Sequence, residues 1–193
     1  LTLNDDVRVV LIKLADRLHN CRTIEYMPEH KRDKILSETM FVFIPLAHRL
    51  GLYGVKSEME DIWLRYKEPE AFNDITAKIN RNVIDKDKEI NDFIAPIDAA
   101  LKSAGFVFEI KKRVKTPYSI WNKMNNKGID FDQIYDLYAV RIIFDADKVS
   151  GETERDQCYH IFSIITGLYR YKSDRVRDWV NYPKNNGYEA LHC

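Results

Sequence analysis

The chain has 193 residues, of which 45% are hydrophobic, so it is long enough for one domain or two small ones with a substantial core. Thirty basic residues balance thirty acidic ones, and no segment approaches the roughly 18 apolar residues of a membrane span. The three cysteines, Cys21, Cys158 and Cys193, fit neither a disulfide framework nor a zinc site. We therefore expect a globular cytoplasmic protein that contacts neither a membrane nor, through this segment, nucleic acid.

The first 67 residues predict three amphipathic helices. In the first helix, apolar residues share one side and three polar residues share the other, namely Asp16, Asn20 and Thr23. A second helix is expected over roughly 31–50 and a third over 55–66, "VKSEMEDIWLRY". An aspartate on a polar helix face is ordinarily just solvated, so Asp16 would need partners from elsewhere to hold a metal.

The pattern changes after residue 105. Residues 69–103 predict a charged helix that Pro96 interrupts and Gly105 ends. From Phe106 onward, apolar residues alternate with polar ones, which is the period of a strand. We therefore expect a connecting arm followed by a second domain.

The second domain is expected to mix helices and strands. Thr116 and Pro117 form a good N-cap and first turn for the helix "PYSIWNKMNNK", and a strand "LYAVRIIF", an acidic loop at 145–157 and a helix near 156–170 follow. The strand and helix around Thr116 would bring four polar side chains together: Arg113, Lys115, Ser119 and Lys123.

The chain closes with "YPKNNGYEALHC", in which turn-forming residues surround Lys184 and Tyr188. A cation and a ring on an ordered loop suit a planar anionic ligand such as a nucleotide. The alternative is an ordinary surface turn in which Tyr188 starts the next strand.

Five motifs, in order, resemble those of RelA/SpoT-type (p)ppGpp synthetase/hydrolases. "KLADRLHNCRT" and "PLAHRLGLYGVKSEMEDIWLRY" resemble the end of the hydrolase domain, and "RVKTPYSIWNKM", "FDQIYDLYAVRII" and "RVRDWVNYPKNNGYEALH" resemble the ATP-side motif, magnesium-binding strand and guanosine-side loop of the synthetase domain. The resemblance implies an α+β protein. Residues 1–67 would be C-terminal helices of an HD-type hydrolase domain, 68–105 a connecting helical arm, and 106–193 a mixed α/β, nucleotidyltransferase-like synthetase domain.

The resemblance also implies roles at the ATP side. Arg113 and Arg141 would sandwich adenine, and Lys115 and Lys123 would hold the phosphates. Asp136 would bind Mg²⁺, and Ser119 would belong to the same nucleotide site. Since Asp136 and Arg141 are five residues apart and would face opposite sides of a regular strand, Asp136 must precede the strand or a bulge must intervene.

At the guanosine side, the resemblance implies that Tyr188 stacks on guanine. Lys184, Asn186 and His192 would complete the pocket for GTP or GDP. Arg177 occupies the basic position of "RVRD", which in this family marks enzymes that combine synthesis with hydrolysis.

For hydrolysis, the resemblance implies that Asp16 is a Mn²⁺ ligand and that Asn20 and Thr23 contact the bound nucleotide. The family's other metal ligands lie upstream of this helix, and a glutamate that helps to activate the acceptor hydroxyl would fall beyond Cys193. We therefore expect the chain to be part of a longer protein, in which further domains would make any contact with the ribosome.

The implied activity is pyrophosphoryl transfer from ATP to the 3′-hydroxyl of GTP or GDP with Mg²⁺, and (p)ppGpp hydrolysis with Mn²⁺ in the longer protein. Two alternatives remain open: a pocket that senses guanosine nucleotides without catalysis, and a helical half that serves only as a scaffold. Because simple nucleotide binding has little need of a metal-binding carboxylate, Asp136 favours the enzyme.

Overall fold

The computed structural model describes residues 7–146, 151–184 and 187–193, in which the chain forms two compact units. Unit 1 comprises the residues up to Ile79 together with Lys115–Leu137, and unit 2 comprises Asn80–Val114 together with Tyr138–Cys193. Helices and small antiparallel sheets build these units, which confirms the predicted α+β class. The predicted sequence boundaries of the domains, at 67/68 and 105/106, stay a prediction.

Unit 1 begins with four helices. These are α1 (Val7–Arg22), α2 (Glu29–Glu38), α3 (Ile44–Arg49) and α4 (Tyr53–Lys67), with a short 3₁₀ turn at Ile24–Tyr26. Their apolar faces enclose one core of buried residues: Leu14, Cys21, Phe43, Ile44, Ala47, Met59 and Ile62. The amphipathic patterns of the sequence thus lead to a packed helical cluster.

The helix predicted over 31–50 is wrong in one respect, because a π-helical turn at Thr39–Phe43 separates α2 from α3. The hydroxyl of the fully buried Thr39 donates a hydrogen bond to the Ile35 carbonyl at 2.7 Å. Arg17 of α1 pairs with Glu38 at 2.7 Å and lies 4.3 Å from the centroid of the Phe43 ring. These tertiary contacts hold the wider turn, which the spacing of apolar residues does not reveal.

The second segment of unit 1 contains α6 (Pro117–Lys127), which confirms the helix predicted after Thr116. The helix ends at Gly128, whose φ of 59° is the left-handed conformation typical of a helix C-terminus. A 3₁₀ turn at Phe131–Gln133 follows, and the chain then turns at Asp136 before the next strand. Buried Ile120, Phe131 and Leu137 anchor this segment.

Helix α5 spans Pro69–Ser103 without a break, so the predicted interruption at Pro96 is wrong. Proline removes only one backbone donor, and the buried side chains of Ile97 and Leu101 beyond it stabilise the continuation. The helix ends as predicted at Gly105. There the Phe106 N–H donates to the Leu101 carbonyl and the Gly105 N–H to the Lys102 carbonyl, which is a Schellman motif.

In unit 2, β1 (Phe108–Val114) pairs antiparallel with β2 (Tyr138–Phe144). One face of this pair packs on a core that includes Leu101, Phe106 and Ile161. Helix α7 (Glu154–Leu168) begins two residues before the predicted start, because Thr153 and Asp156 form a capping box. Strands β3 (Arg177–Asp178) and β4 (Leu191–His192) form a second small sheet. Residues 147–150 of the predicted acidic loop lie outside the described residues.

Candidate functional site

Two lysines and one aspartate meet in unit 1. Lys115 directly follows β1, Lys123 lies on α6, and Asp136 lies in the turn before β2. The Lys115 ammonium donates to Oδ2 of Asp136 at 2.8 Å, and the Lys123 ammonium donates to Oδ1 of the same carboxylate. A backbone hydrogen bond from the Lys115 N–H to the Leu137 carbonyl, at 2.9 Å, fixes the two chain segments beside each other. Because Asp136 precedes the strand, its predicted conflict with Arg141 does not arise.

The two lysines control the ionisation of Asp136. Burial is the largest single influence and raises the pKa of this carboxyl, but the hydrogen bonds and positive charges of Lys115 and Lys123 together outweigh it and lower the pKa to about 2. The carboxylate is therefore ionised at neutral pH. The cluster carries two positive charges and one negative charge, so it has a net affinity for anions.

The side chains of the cluster remain open to ligands. Lys115 and Lys123 are 25% and 23% exposed, and Asp136 is 52% exposed. Among the described residues, 7–146, 151–184 and 187–193, no group of three or more His, Cys, Asp or Glu side chains is placed to hold a metal ion. One carboxylate nevertheless suits Mg²⁺, which protein sites commonly bind through one or two carboxylates together with substrate phosphates and water.

Ser119 lies one turn before Lys123 on α6. Its hydroxyl accepts a hydrogen bond from the Thr116 hydroxyl at 2.9 Å, and its N–H donates to the Thr116 side chain at 3.4 Å. Residues four apart share a face of a helix, so Ser119 and Lys123 point to the same side of α6. The structure thus brings Lys115, Lys123 and Asp136 into contact, and it places Ser119 on the same face of α6 as Lys123.

Arg113 and Arg141 lie in unit 2, on the exposed face of the β1–β2 pair. Arg113 is opposite Ala139, and Arg141 is opposite Lys111, so the two arginines are diagonal neighbours. Diagonal neighbours on one face are about 7–8 Å apart at the backbone, a separation that side chains as long as arginine can bridge. The two guanidinium groups therefore extend from neighbouring positions of one exposed face.

The loop between β3 and β4 contains the predicted guanosine-side residues. Gly187, with a φ of 74°, donates to the Lys184 carbonyl, and the Lys184 N–H donates to the Tyr188 carbonyl. The Lys184 ammonium lies 5.4 Å from the Tyr188 ring centroid and 4.8 Å from that of Trp179. Asn186 lies outside the described residues.

His192 and Arg177 pair across β3 and β4 at the base of this loop. The Tyr188 hydroxyl lies 3.0 Å from Nε2 of His192, and partial burial followed by the positive charges of Lys184 and Arg141 lowers the pKa of this histidine. The Arg177 guanidinium donates to the carbonyls of Asp174 and Val176. The loop therefore presents an aromatic ring beside a cation and a neutral imidazole.

A second set of residues, which the sequence did not single out, holds this loop in place. Asp178 accepts hydrogen bonds from the Tyr159 hydroxyl of α7 at 2.6 Å and from the N–H groups of Val180 and Asn181. The hydroxyl bond from Tyr159, followed by the backbone bond from Asn181, lowers the pKa of Asp178 to about 2. In the sequence, the only sign of this role of Asp178 is its position as the acidic residue at the end of "RVRD".

Asp16, Asn20 and Thr23 follow one another along α1 and its C-terminal end. Asn20 donates to Asp16 Oδ2 at 3.1 Å, whereas the Thr23 hydroxyl donates to the His19 carbonyl at 2.9 Å. Asp16 is exposed, and the described residues supply too few donors beside it for a manganese site. The hydrolytic centre implied by the sequence therefore does not fit the described residues alone.

Comparison with known proteins places these features in a family. A family model described as a region found in RelA / SpoT proteins matches residues 112–193, and an HD domain model matches residues 1–53. A GTP pyrophosphokinase from Myxococcus xanthus is 37% identical over 100% of this chain and 24% of its own length. The chain fits a fragment of a RelA/SpoT protein. These matches confirm the resemblance found in the sequence.

Other RelA/SpoT-type relatives carry the names of both activities. A guanosine-3′,5′-bis(diphosphate) 3′-pyrophosphohydrolase from Aquifex aeolicus is 35% identical over 97% of this chain and 26% of its own length. A probable chloroplastic GTP diphosphokinase from Oryza sativa subsp. japonica is 35% identical over 97% of this chain and 25% of its own length. The chain thus spans about a quarter of the length of these relatives.

Proposed function

We propose that the protein containing this chain transfers a pyrophosphoryl group from ATP to GDP or GTP and thereby makes ppGpp or pppGpp. The 3′-hydroxyl oxygen of the guanosine nucleotide attacks the β-phosphorus of ATP. The bond from that phosphorus to the α–β bridging oxygen breaks, AMP leaves, and the hydroxyl proton is lost. The names of the Myxococcus and rice relatives and the RelA / SpoT match support this reaction.

The observation that carries the proposal is the contact of Lys115 and Lys123 with one carboxylate. Phosphoryl-type transfer depends mainly on positioning and on neutralising phosphate charge. Phosphate oxygens of ATP would compete with Asp136 for the two ammonium groups, which already point to a common centre. Asp136, released from the lysines, would hold Mg²⁺, which when bound neutralises phosphate charge.

The residues of unit 2 suit the two nucleosides. Arg113 and Arg141 extend from neighbouring positions on one exposed face of the β1–β2 pair and would stack on the two faces of adenine. Guanidinium groups are suited to such stacking because they are flat and weakly hydrated. Tyr188 offers a ring for guanine, with Lys184, Asn186 and His192 as the remaining members of the acceptor site. Arg177, in the sheet beside His192, is the basic residue expected of a protein that also hydrolyses its product.

Hydrolysis of (p)ppGpp is proposed for the whole protein only. The HD domain match over residues 1–53 and the name of the Aquifex relative support it. Asp16 would then be one Mn²⁺ ligand, with Asn20 and Thr23 near the nucleotide, and the other ligands would come from parts of the protein beyond the described residues.

We also propose a cytoplasmic location. No described helix is both long and apolar enough to cross a bilayer, and Cys21, Cys158 and Cys193 carry free thiols. Contact with the ribosome would require domains other than the segment described.

The test is transfer of labelled pyrophosphate from ATP to GDP with Mg²⁺, using the full-length protein. Asp136→Ala should lower kcat by about 100-fold or more, because it removes both the lysine partner and the metal-binding oxygen. Asp132→Ala is the matched control, since Asp132 is an exposed aspartate four residues earlier, and it should retain wild-type transfer. Equal activity of Asp136→Ala and wild type would contradict the proposal. Binding of GDP without transfer under any divalent metal would favour a guanosine-nucleotide sensor instead.

A further inference from the structure

Helix α6, which carries Ser119 and Lys123, is held at its N-terminus by a residue of α4. Oδ1 of Asp61 accepts a hydrogen bond from the Tyr118 N–H at 2.9 Å. Tyr118 is the second residue of α6, and both residues belong to unit 1. The hydrogen bond gives a partner to the Tyr118 N–H, which has none within the helix, and it partly offsets the cost of burying the Asp61 carboxylate.

With Asp61 in place, the N-terminus of α6 has no backbone donor left for a phosphate. Pro117 has no N–H, Tyr118 donates to Asp61, and Ser119 donates to the Thr116 hydroxyl. The next N–H, of Ile120, donates to the Thr116 carbonyl. A phosphate beside α6 must therefore be bound by side chains, and Lys115 and Lys123, which converge on Asp136, are suited to this.

Aromatic packing fixes the same face of α6 against α4. Trp63 lies 6.1 Å from Tyr118 and 6.0 Å from Trp121 between ring centroids, and Tyr118 and Trp121 are 5.7 Å apart. Tyr118 and Trp121 are three residues apart and so share one face, whereas Ser119 and Lys123 lie on another. The contact with α4 thus sets both the axial position and the rotation of the face that carries Lys123.

We propose that Asp61 is a positioning residue for the ATP side of the transfer reaction: by binding the Tyr118 N–H it holds α6 so that Lys123 reaches the phosphates and Asp136. This inference rests on the proposed function, because that proposal assigns Lys123 to the phosphates of ATP. Its effect concerns the donor nucleotide, because Lys123 of the positioned helix α6 is proposed to hold the phosphates of ATP.

The test compares Asp61→Ala with Asp61→Asn in the full-length protein. Asp61→Ala should raise the KM for ATP by about 10-fold or more and lower kcat, because small displacements of a positioning group have large effects on rate. The KM for GDP should change less than about 2-fold. In Asp61→Asn, the amide oxygen can still accept from Tyr118, so the ATP parameters should return to within about 3-fold of wild type.

Asp33→Ala is the matched control, because Asp33 is an exposed aspartate of unit 1 that pairs with Lys67 on the surface. It should leave both KM values unchanged. If Asp61→Ala does not fold, Asp61→Ser, which is too short to reach Tyr118, takes its place. A folded Ala or Ser variant with a wild-type KM for ATP, or an equal rise in both KM values, would overturn the inference.

A second readout separates this inference from the proposed reaction. Hydrogen exchange of the Tyr118 amide should be slow in wild type and Asp61→Asn and at least about 10-fold faster in Asp61→Ala. If wild type transfers no pyrophosphate, the proposed function fails. The positioning claim is then decided by exchange and by binding of Mg²⁺–ATP, where an unchanged affinity in Asp61→Ala would overturn it.

Discussion

Asp61 and Asp136 are two carboxylates of unit 1 whose pKa values shift in opposite directions. Burial is the largest influence on both and raises the pKa. At Asp61 the backbone hydrogen bond from Tyr118 only partly offsets burial, and the pKa is about 6. At Asp136 two lysines reverse the effect, and the pKa is about 2. The Asp61 carboxylate is thus bound to the backbone of a helix, and the Asp136 carboxylate is bound to two lysine ammonium groups that a phosphate can attract.

The pKa of Asp61 leads to a prediction for stability. Because about 6 in the folded state exceeds the ordinary value near 4, the folded state binds this proton more tightly than the unfolded state. The resulting stabilisation is fully present below about pH 4 and is lost as pH rises through 6. Asp61→Asn, which stays neutral, should therefore gain stability relative to wild type over this range, by about 1 kcal/mol after allowance for solvent screening.

Urea unfolding of the two proteins at several values between pH 4 and pH 7.5 measures this difference. The ionisable groups around Asp61 are Arg22 on α1, Lys56, Glu58, Glu60 and Arg65 on α4, and Tyr118 on α6. All of them are present in both proteins. A stability difference that stays constant or shrinks with rising pH would contradict the pKa assignment.

At the scale of elements, glycine illustrates how position decides the effect of a substitution. Gly105 ends α5 with a φ of 83°, and Gly167 lies within α7, and neither has an atom within 4 Å of an added Cβ. The two glycines therefore differ in backbone conformation and not in the space around an added Cβ. Gly105→Ala should lower the free energy of unfolding by about 1–2 kcal/mol, because L-residues are strained in the left-handed region.

Gly167→Ala is the matched control and should raise the free energy of unfolding by up to about 1 kcal/mol, since alanine favours the helix. Denaturant unfolding of both variants beside wild type measures the two effects. If both variants changed the free energy of unfolding in the same direction, Gly105 would not have the left-handed conformation that the Schellman turn after α5 requires.

The elements that the sequence predicted correctly are those whose signals lie close together along the chain. Helix α6 has its N-cap, proline and terminal glycine within thirteen residues, and it begins and ends where they predict. The alternation in β1 and β2 is equally local. The π-helical turn at Thr39–Phe43 and the continuous helix through Pro96 depend on buried partners far away in sequence, such as Arg17 for the former.

At the scale of the whole molecule, the strand and helix predicted around Thr116 indicated that Lys115 and Lys123 would converge, and the family motifs added Asp136 to them. Lys115, Lys123 and Asp136 were predicted from "RVKTPYSIWNKM" and "FDQIYDLYAVRII", and the structure brings them into contact. The contact of Asp61 with Tyr118 joins residues 57 positions apart, and "SEMEDIW" has the pattern of any amphipathic helix. The position of Trp179 beside Lys184 likewise arises from a loop conformation that no periodicity encodes.

The most direct test of the proposed reaction follows both phosphates of the transferred group. ATP labelled separately at the β- and γ-phosphates is incubated with GDP, Mg²⁺ and the full-length protein, and nucleotides are separated and counted. If pyrophosphoryl transfer occurs, both labels enter the 3′ position of the guanosine product, and one AMP appears for each product molecule. Transfer of the γ label alone with release of ADP, or no label in any guanosine product, would contradict it.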